Sequence, residues 1–279
     1  FNQMRAALLQ MTSSDLPEDN LRQARGMLLE AKEAGADFAF LPEVMNCLST
    51  SRSHQKAVLQ TEEDDATLKA LQALCAELDI WLLVGSLGLK TEDADGRFAN
   101  RSFVVSDKGE IVARYDKIHM FDVDVTPEET YRESDGYRPG NRAVVAQTPF
   151  GAFGMSICYD VRFGALHRTL AQHGAEILTV PAAFSHVTGR AHWETLLRAR
   201  AIETGCFVIA PAQTGQHPTT RGQSRRTHGH SMVIAPWGEV LADAGEAKGV
   251  TLVDVDLSLV QKARRQVPSL QHDRDFDGP

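Results

Sequence analysis

Gly151-Ala152-Phe153-Gly154-Met155-Ser156-Ile157-Cys158-Tyr159-Asp160-Val161-Arg162-Phe163 is the stretch on which the fold turns. Phe153, Met155 and Ile157 alternate, which reads as a short buried strand. After Asp160 the apolar spacing lengthens to Phe163, Leu166 and Leu170, which is helical. Cys158 therefore sits where a strand ends and a helix begins, the place where α/β folds present reactive side chains. A cysteine at a helix N-terminus also feels the positive end of the helix dipole, which favours thiolate. Taken alone, the stretch fits a small buried hydrophobe equally well, since free cysteine is often one.

Two other places bear on that choice. Phe38-Ala39-Phe40-Leu41-Pro42-Glu43 is an apolar run that ends in a carboxylate. The strand-like run Ile111 to Tyr115 delivers Asp116-Lys117-Ile118-His119 just beyond its end. Cysteine-dependent acyl transfer needs a base for the thiol proton, a cation or N–H for the developing oxyanion, and the thiol. Glu43, Lys117 and Cys158 supply all three from similar strand-end positions. A lone surface Glu or Lys would carry no such weight.

Leu41-Pro42-Glu43, Tyr115-Asp116-Lys117-Ile118-His119 and Ser156-Ile157-Cys158-Tyr159-Asp160-Val161-Arg162-Phe163 resemble the three signature segments of the nitrilase superfamily of carbon–nitrogen hydrolases. The resemblance runs from Met4 to Asp275. It implies a single α/β domain over 4–275, built as a four-layer α-β-β-α sandwich. It also implies a homodimer or higher homo-oligomer, paired through the helices after Cys158 and before Cys206. Cys158 would attack an amide carbon to form a thioester, with Glu43 as general base. Lys117 and the backbone N–H of Tyr159 would hold the oxyanion. Glu133, six residues before Pro139-Gly140, matches the family's second glutamate, with Glu128 and Glu129 as close competitors. Some relatives grip a substrate carboxylate with two adjacent arginines where this chain has Val161-Arg162. Arg162 alone would bind a carboxylate or form a buried ion pair.

Composition bounds the alternatives. The chain has 279 residues, 43% of them hydrophobic, as expected of a globular protein with a sizeable core. A net charge of -8 argues against broad nucleic-acid or anionic-membrane binding. Cys47, Cys75, Cys158 and Cys206 lie far apart, with no Cys-x-x-Cys, so a reducing compartment fits best. No apolar run of about 18 residues and no secretory segment is visible, which makes the cytoplasm the default expectation. Phe1-Asn2-Gln3 reads as an added, altered or disordered start. No Gly-x-Gly-x-x-Gly or Walker pattern occurs, so no nucleotide or other cofactor is expected. His217, His228 and His230 lack helical His-x-x-x-His spacing and a carboxylate cluster, so a solvated loop is expected there rather than a metal. His119, His167 and His186 leave a Cys–His pair open in principle. His119 is expected behind Lys117, and Asp160 is expected to cap the helix.

Strands and helices alternate without a linker, which reads as one α/β domain. Helices are expected over 17–34, 63–79, 165–173, 189–205 and 257–267. Strands are expected over 4–11, 37–41, 80–87, 100–106, 111–115, 143–147, 151–157, 176–181, 206–211, 230–234, 240–243 and 250–255. Segments 46–60, 117–140, 182–189 and 213–228 read as loops, and 268–279 as a polar tail without a core of its own.

Further segments narrow the family. Thr188 to Glu194, Leu197 to Thr204, Ala212-Gln213-Thr214-Gly215-Gln216-His217, Gly229-His230-Ser231-Met232, Pro236-Trp237-Gly238 and Val267 to His272 resemble the Nit branch. That resemblance implies a small-molecule amide with a 2-oxoglutaramyl acyl group. The expected reaction releases 2-oxoglutarate and Cys-Gly from deaminated glutathione, with ammonia release from 2-oxoglutaramate as the alternative. Another amide or carbamyl substrate, or a non-catalytic scaffold, stands further off. Arg221, Arg225 and Arg226 are a candidate source of positive charge for a dicarboxylate-like acyl group, or a solvated loop.

Overall fold

A computed structural model describes residues 2–279. The first half runs β1 (Gln3–Gln10), α1 (Pro17–Glu33), β2 (Phe38–Phe40), α2 (Arg52–Val58), α3 (Ala66–Leu78), β3 (Trp81–Leu89), β4 (Ala99–Val105) and β5 (Ile111–Asp116). A hairpin of β6 (Asp122–Thr126) and β7 (Glu129–Arg132) follows. The second half runs β8 (Val145–Thr148), β9 (Gly151–Met155), α4 (Gly164–Gln172), β10 (Ile177–Thr179), α5 (His186–Thr188), α6 (Glu194–Thr204) and β11 (Phe207–Ala210). It continues through β12 (Thr214–Gln216), β13 (Arg226–His228), β14 (Met232–Ile234), β15 (Val240–Asp243), β16 (Gly249–Asp256) and α7 (Ser258–Gln266).

Local chemistry explains these boundaries. Pro17 opens α1 with Glu18 and Asp19 in its first turn, where the dipole favours acids. Gly35 follows it at φ +84°, a conformation cheap only for glycine. Asp65 caps α3 by accepting from the Leu68 N–H at 2.8 Å.

Two six-stranded sheets form, in the orders β16-β1-β2-β3-β4-β5 and β15-β14-β11-β10-β9-β8. The alternation of β1 shows how they stack. Ala6 and Leu8 point into one core with Phe40, Phe153 and Ile177, between the sheets. Ala7 and Leu9 point the other way, onto Ala24 and Leu28 of α1 and Leu71 of α3. On the far side Leu170 of α4 and Leu197 of α6 cover the second sheet. The result is a four-layer α-β-β-α sandwich. Phe38 stands at its centre, 4.8 Å from the Phe40 ring and 4.9 Å from that of Phe153. Burying such side chains is worth about 1.5–3 kcal/mol each.

Several expected loops carry structure. The segment 46–60 contains α2, capped by Ser51, but its buried residues are His54 and Gln55, so no apolar period marks it. The segment 117–140 contains the β6–β7 hairpin, whose Asp122-Val123-Asp124-Val125 alternation is the signal that was available. The β12–β13 hairpin pairs Thr214 with His228 inside 213–228. The tail is partly anchored: Leu270 packs on the core, and Arg168 bonds Asp273. Phe1 lies outside the described residues, whereas Gln3 already pairs with Asp256 in β1. Among the described residues no helix is long and apolar enough to cross a membrane.

Candidate active site

Glu43, Lys117 and Cys158 converge from three strand ends. Glu43 follows β2, which the Leu41 N–H and the carbonyl of Leu83 tie to β3. Gly85 makes this segment possible: a Cβ there would lie 1.9 Å from the Leu41 carbonyl oxygen. Lys117 follows β5, its N–H on the Asn100 carbonyl at 3.0 Å. Cys158 follows β9, its N–H on the Pro181 carbonyl at 2.9 Å. Glu133 arrives from the end of β7 in a one-turn 3₁₀ segment.

The contacts are short. Lys117 Nζ lies 3.0 Å from Glu43 Oε2 and 2.9 Å from Glu133 Oε1. Asn100 Nδ2 donates to Glu43 Oε2 at 2.8 Å and to Glu133 Oε2 at 3.2 Å. The Ala183 N–H donates to Glu43 Oε1 at 2.9 Å. The Phe121 N–H donates to Glu133 Oε1 at 2.8 Å. Lys117 is 2% exposed, Glu43 5% and Cys158 7%, so water screens this cluster little.

Burial pushes the Glu43 carboxyl up, but Lys117 and the Asn100 and Ala183 donors outweigh it and hold it below the ordinary carboxylate range. Burial lowers the Lys117 ammonium, yet Glu133 and Glu43 drive it well above its usual value. Burial and then Glu43 push the Cys158 thiol well up, against Lys117. The resting site therefore holds a thiol beside an ionised carboxylate. The α-helix dipole expected from the sequence does not act at Cys158, because the α-helix starts only at Gly164. Cys158 instead opens a 3₁₀ turn over Cys158–Arg162.

Of the four non-glycine backbones held in the left-handed region among the described residues, two belong to this site, Cys158 at φ 48° and Val44, next to Glu43, at φ 46°, and the others are Asp79 and His230. Such conformations are costly for non-glycine residues, most of all a β-branched one, and gather at functional sites. Among the described residues the Tyr159 N–H beside the thiol donates to no protein acceptor.

Sequence reasoning passed over Asn100 and the support beneath the elbow. Asp160 accepts from Tyr115 Oη at 2.6 Å, from the Ile157 N–H at 2.9 Å and from the His119 N–H at 3.0 Å. It does not cap α4, whose N-cap is Phe163, but closes the 3₁₀ turn back onto the Ile157 N–H and couples the Lys117 strand to the Cys158 turn. His119 Nδ1 lies 2.7 Å from Asp160, and its ring stacks on Phe163, so it stands behind Lys117 rather than beside the thiol. His167 bonds Ser156 and the Phe163 carbonyl, and His217 bonds Ser13 and Thr227. Of the competitors of Glu133, Glu128 is exposed and Glu129 accepts from Tyr131 and Ser185 rather than from Lys117.

A cavity of about 240 Å³ opens over these groups, lined by Glu43, Lys117, Glu133, Cys158, Arg52 and Arg225 among others. Arg162 is not among its walls. It lines the neighbouring groove with Tyr159 and His192, its Cζ 5.9 Å from the Tyr159 ring and 5.6 Å from that of Phe184. Among the described residues no cluster of His, Cys, Asp and Glu is arranged to hold a metal.

Comparison with known proteins shows what the chain as a whole is similar to. The family model for carbon–nitrogen hydrolase matches residues 5–265. The chain is 41% identical over 271 residues to the deaminated glutathione amidase of Synechocystis sp. PCC 6803, covering 96% of this chain and 97% of that relative. Its structure superposes on the Caenorhabditis elegans NitFhit protein with a TM-score of 0.89 and 35% identity, covering 98% of this chain but 65% of that one. A Glu-to-Gln mutant of the amidase from Nesterenkonia sp. AN1, 26% identical with a TM-score of 0.76 over 94% of each chain, shows covalent addition of the acetamide moiety of fluoroacetamide at its active-site cysteine.

Proposed function

The chain belongs to the carbon–nitrogen hydrolase family, acting on amides, and we propose that this member uses Cys158 to hydrolyse deaminated glutathione to 2-oxoglutarate and Cys-Gly. The observation that carries the chemistry is the buried Lys117 ammonium held between Glu43 and Glu133 beside the Cys158 thiol. The acyl group is argued from the relatives, several of which are deaminated glutathione amidases of about this identity.

Glu43 takes the thiol proton as Cys158 Sγ attacks the amide carbon. The carbonyl π electrons move onto oxygen, where Lys117 Nζ and the Tyr159 N–H stabilise the oxyanion. The C–N bond then breaks, Glu43 returns the proton to the leaving amine, and a thioester remains. Glu43 next takes a proton from water, which attacks the thioester. Collapse expels the thiolate, which regains the proton from Glu43, and frees the acid. Acid–base help of this kind is worth about 10²–10⁴-fold. Losing one oxyanion donor costs about 10²–10³ in turnover. Glu133, which shares Lys117 and Asn100 with Glu43, fixes the ammonium in place.

A cytoplasmic setting is supported by four free, buried cysteines. A homodimer through α4 and α6 is supported by apolar side chains left on that face, with Ile202 55% and Trp237 57% exposed. The test of the substrate is a side-by-side assay of deaminated glutathione and 2-oxoglutaramate, following 2-oxoglutarate. Preference for deaminated glutathione is expected. Preference for 2-oxoglutaramate would make the chain an ω-amidase. Turnover of neither would remove the 2-oxoglutaramyl acyl group.

A further inference from the structure

We propose that Arg52 and Arg225 form a receptor for a carboxylate on the acyl end of the substrate, and that they make the enzyme selective for anionic over neutral linear amides. This deepens the amidase function proposed above and rests on it. Both guanidiniums line the cavity that holds Cys158. Neither has a carboxylate within ion-pair distance among the described residues, whereas the third lining arginine, Arg132, is paired with Asp124 at 2.9 Å. Arg225 donates one Nη2–H to the Ala183 carbonyl at 3.1 Å, and its Nε is buried without a hydrogen-bond partner. Its Cζ lies 5.2 Å from the Tyr131 ring centroid. Arg52 donates to Gln55 Oε1 at 2.8 Å and lies 5.6 Å from the Tyr137 ring centroid. Gly136 makes room for it, because a Cβ there would sit 2.0 Å from Arg52 Cζ.

Unpaired guanidiniums fixed in a cavity wall are disposed to bind a carboxylate, which they can grip through two parallel N–H donors. The loops bearing them are joined: the Gln223 N–H and the Thr50 hydroxyl bond at 3.0 Å. The Arg225 loop is further pinned by buried Asp15, which accepts from the Thr220 N–H at 2.8 Å and its hydroxyl at 2.9 Å. Field direction completes the case. At the thiol end Glu43 and Glu133 outnumber Lys117 and leave one net negative charge, so a substrate anion is drawn instead to the two arginines, which leaves the amide at Cys158.

The test compares glutaramate with pentanamide, which replaces the carboxylate by a methyl group on a linear amide of the same carbon count. The ratio of their kcat/KM values is measured for the wild type, Arg52→Met, Arg225→Met, Arg225→Lys and Arg132→Met, with folding checked by thermal melting. The wild type is expected to favour glutaramate by at least tenfold. Each Met substitution at Arg52 or Arg225 lowers that ratio about 10- to 100-fold, through KM, as expected for a lost charged hydrogen-bond partner. Arg225→Lys recovers part of it, and Arg132→Met keeps it. For a substrate turned over too slowly, the same ratio is read from protection of Cys158 against iodoacetamide. A wild-type ratio near one, or a ratio that survives both Met substitutions, overturns the proposal. Failure to cleave deaminated glutathione or 2-oxoglutaramate would remove the assigned acyl group yet leave this comparison intact.

Discussion

Lys117→Met isolates the interaction that holds the site together. Lys117 Nζ makes contacts of 3.0 Å to Glu43 and 2.9 Å to Glu133, and all three side chains are largely buried. At an effective dielectric of about 20, each contact is worth about 5 kcal/mol of attraction before desolvation is counted. Desolvation of the ammonium offsets much of that in the wild type. In the variant the buried charge of the two carboxylates goes uncompensated, because they are left facing each other around Asn100. Removing one partner of a buried pair costs about 3–5 kcal/mol, which we expect in urea denaturation at pH 8. The sign of its pH dependence follows from the pair. In the wild type Glu43 is held below its ordinary range and stays ionised. In the variant one of the two carboxyls must rise and take up a proton on acidification. The difference in stability therefore narrows from pH 8 to pH 6. Turnover falls about 10²–10³-fold with the oxyanion donor gone. A stability loss below about 1 kcal/mol, or turnover near that of the wild type, would refute this account of Lys117.

Gly85→Ala places a Cβ against the Leu41 carbonyl and the Pro42 backbone, neither of which can rotate away, so it displaces Glu43. We expect at least about 1–3 kcal/mol of destabilisation in thermal melts and a lower kcat. Asp160→Asn replaces an acceptor of several donors by a group that cannot accept them all, and should cost about 1.5–3 kcal/mol and lower activity without touching substrate. Burial pushes His167 and His217 down to about 4. The unfolded chain thus binds more protons than the folded one as pH falls from about 6.5 towards 4, so stability declines across that window, by up to about 3 kcal/mol per histidine. Glu43 is held below its ordinary carboxylate range, so the acid limb of activity should coincide with loss of far-UV circular dichroism. A limb well above the unfolding transition would point to a catalytic histidine instead.

Glu43, Lys117 and Cys158 are legible in the sequence because each stands just past an apolar strand, where residue type and position suffice to mark it. The sandwich is legible only through resemblance, since alternation says that a strand has two faces and not what covers them. Asn100 gives no local signal: one amide at the head of a strand resembles any strand edge, and its place between Glu43 and Glu133 comes from long-range pairing. Arg52 is hidden because α2 buries polar residues. Arg225 could be picked out as charge on a loop, but its approach to Arg52 depends on how the β12–β13 hairpin folds over Thr50. The Cys158 turn misleads in one respect. The helical apolar spacing is real, but a 3₁₀ turn intervenes before α4, so the thiol gains no helix dipole and is governed by Glu43 and burial.

The central claim is that Cys158 carries the acyl group. Enzyme quenched in acid during steady-state turnover of deaminated glutathione, or of the best amide found, should be measured by intact mass and peptide mapping. The account predicts one acyl group per chain, attached at Cys158 and absent from Cys47, Cys75 and Cys206. Acylation at any other residue, or full turnover by Cys158→Ala, would contradict it.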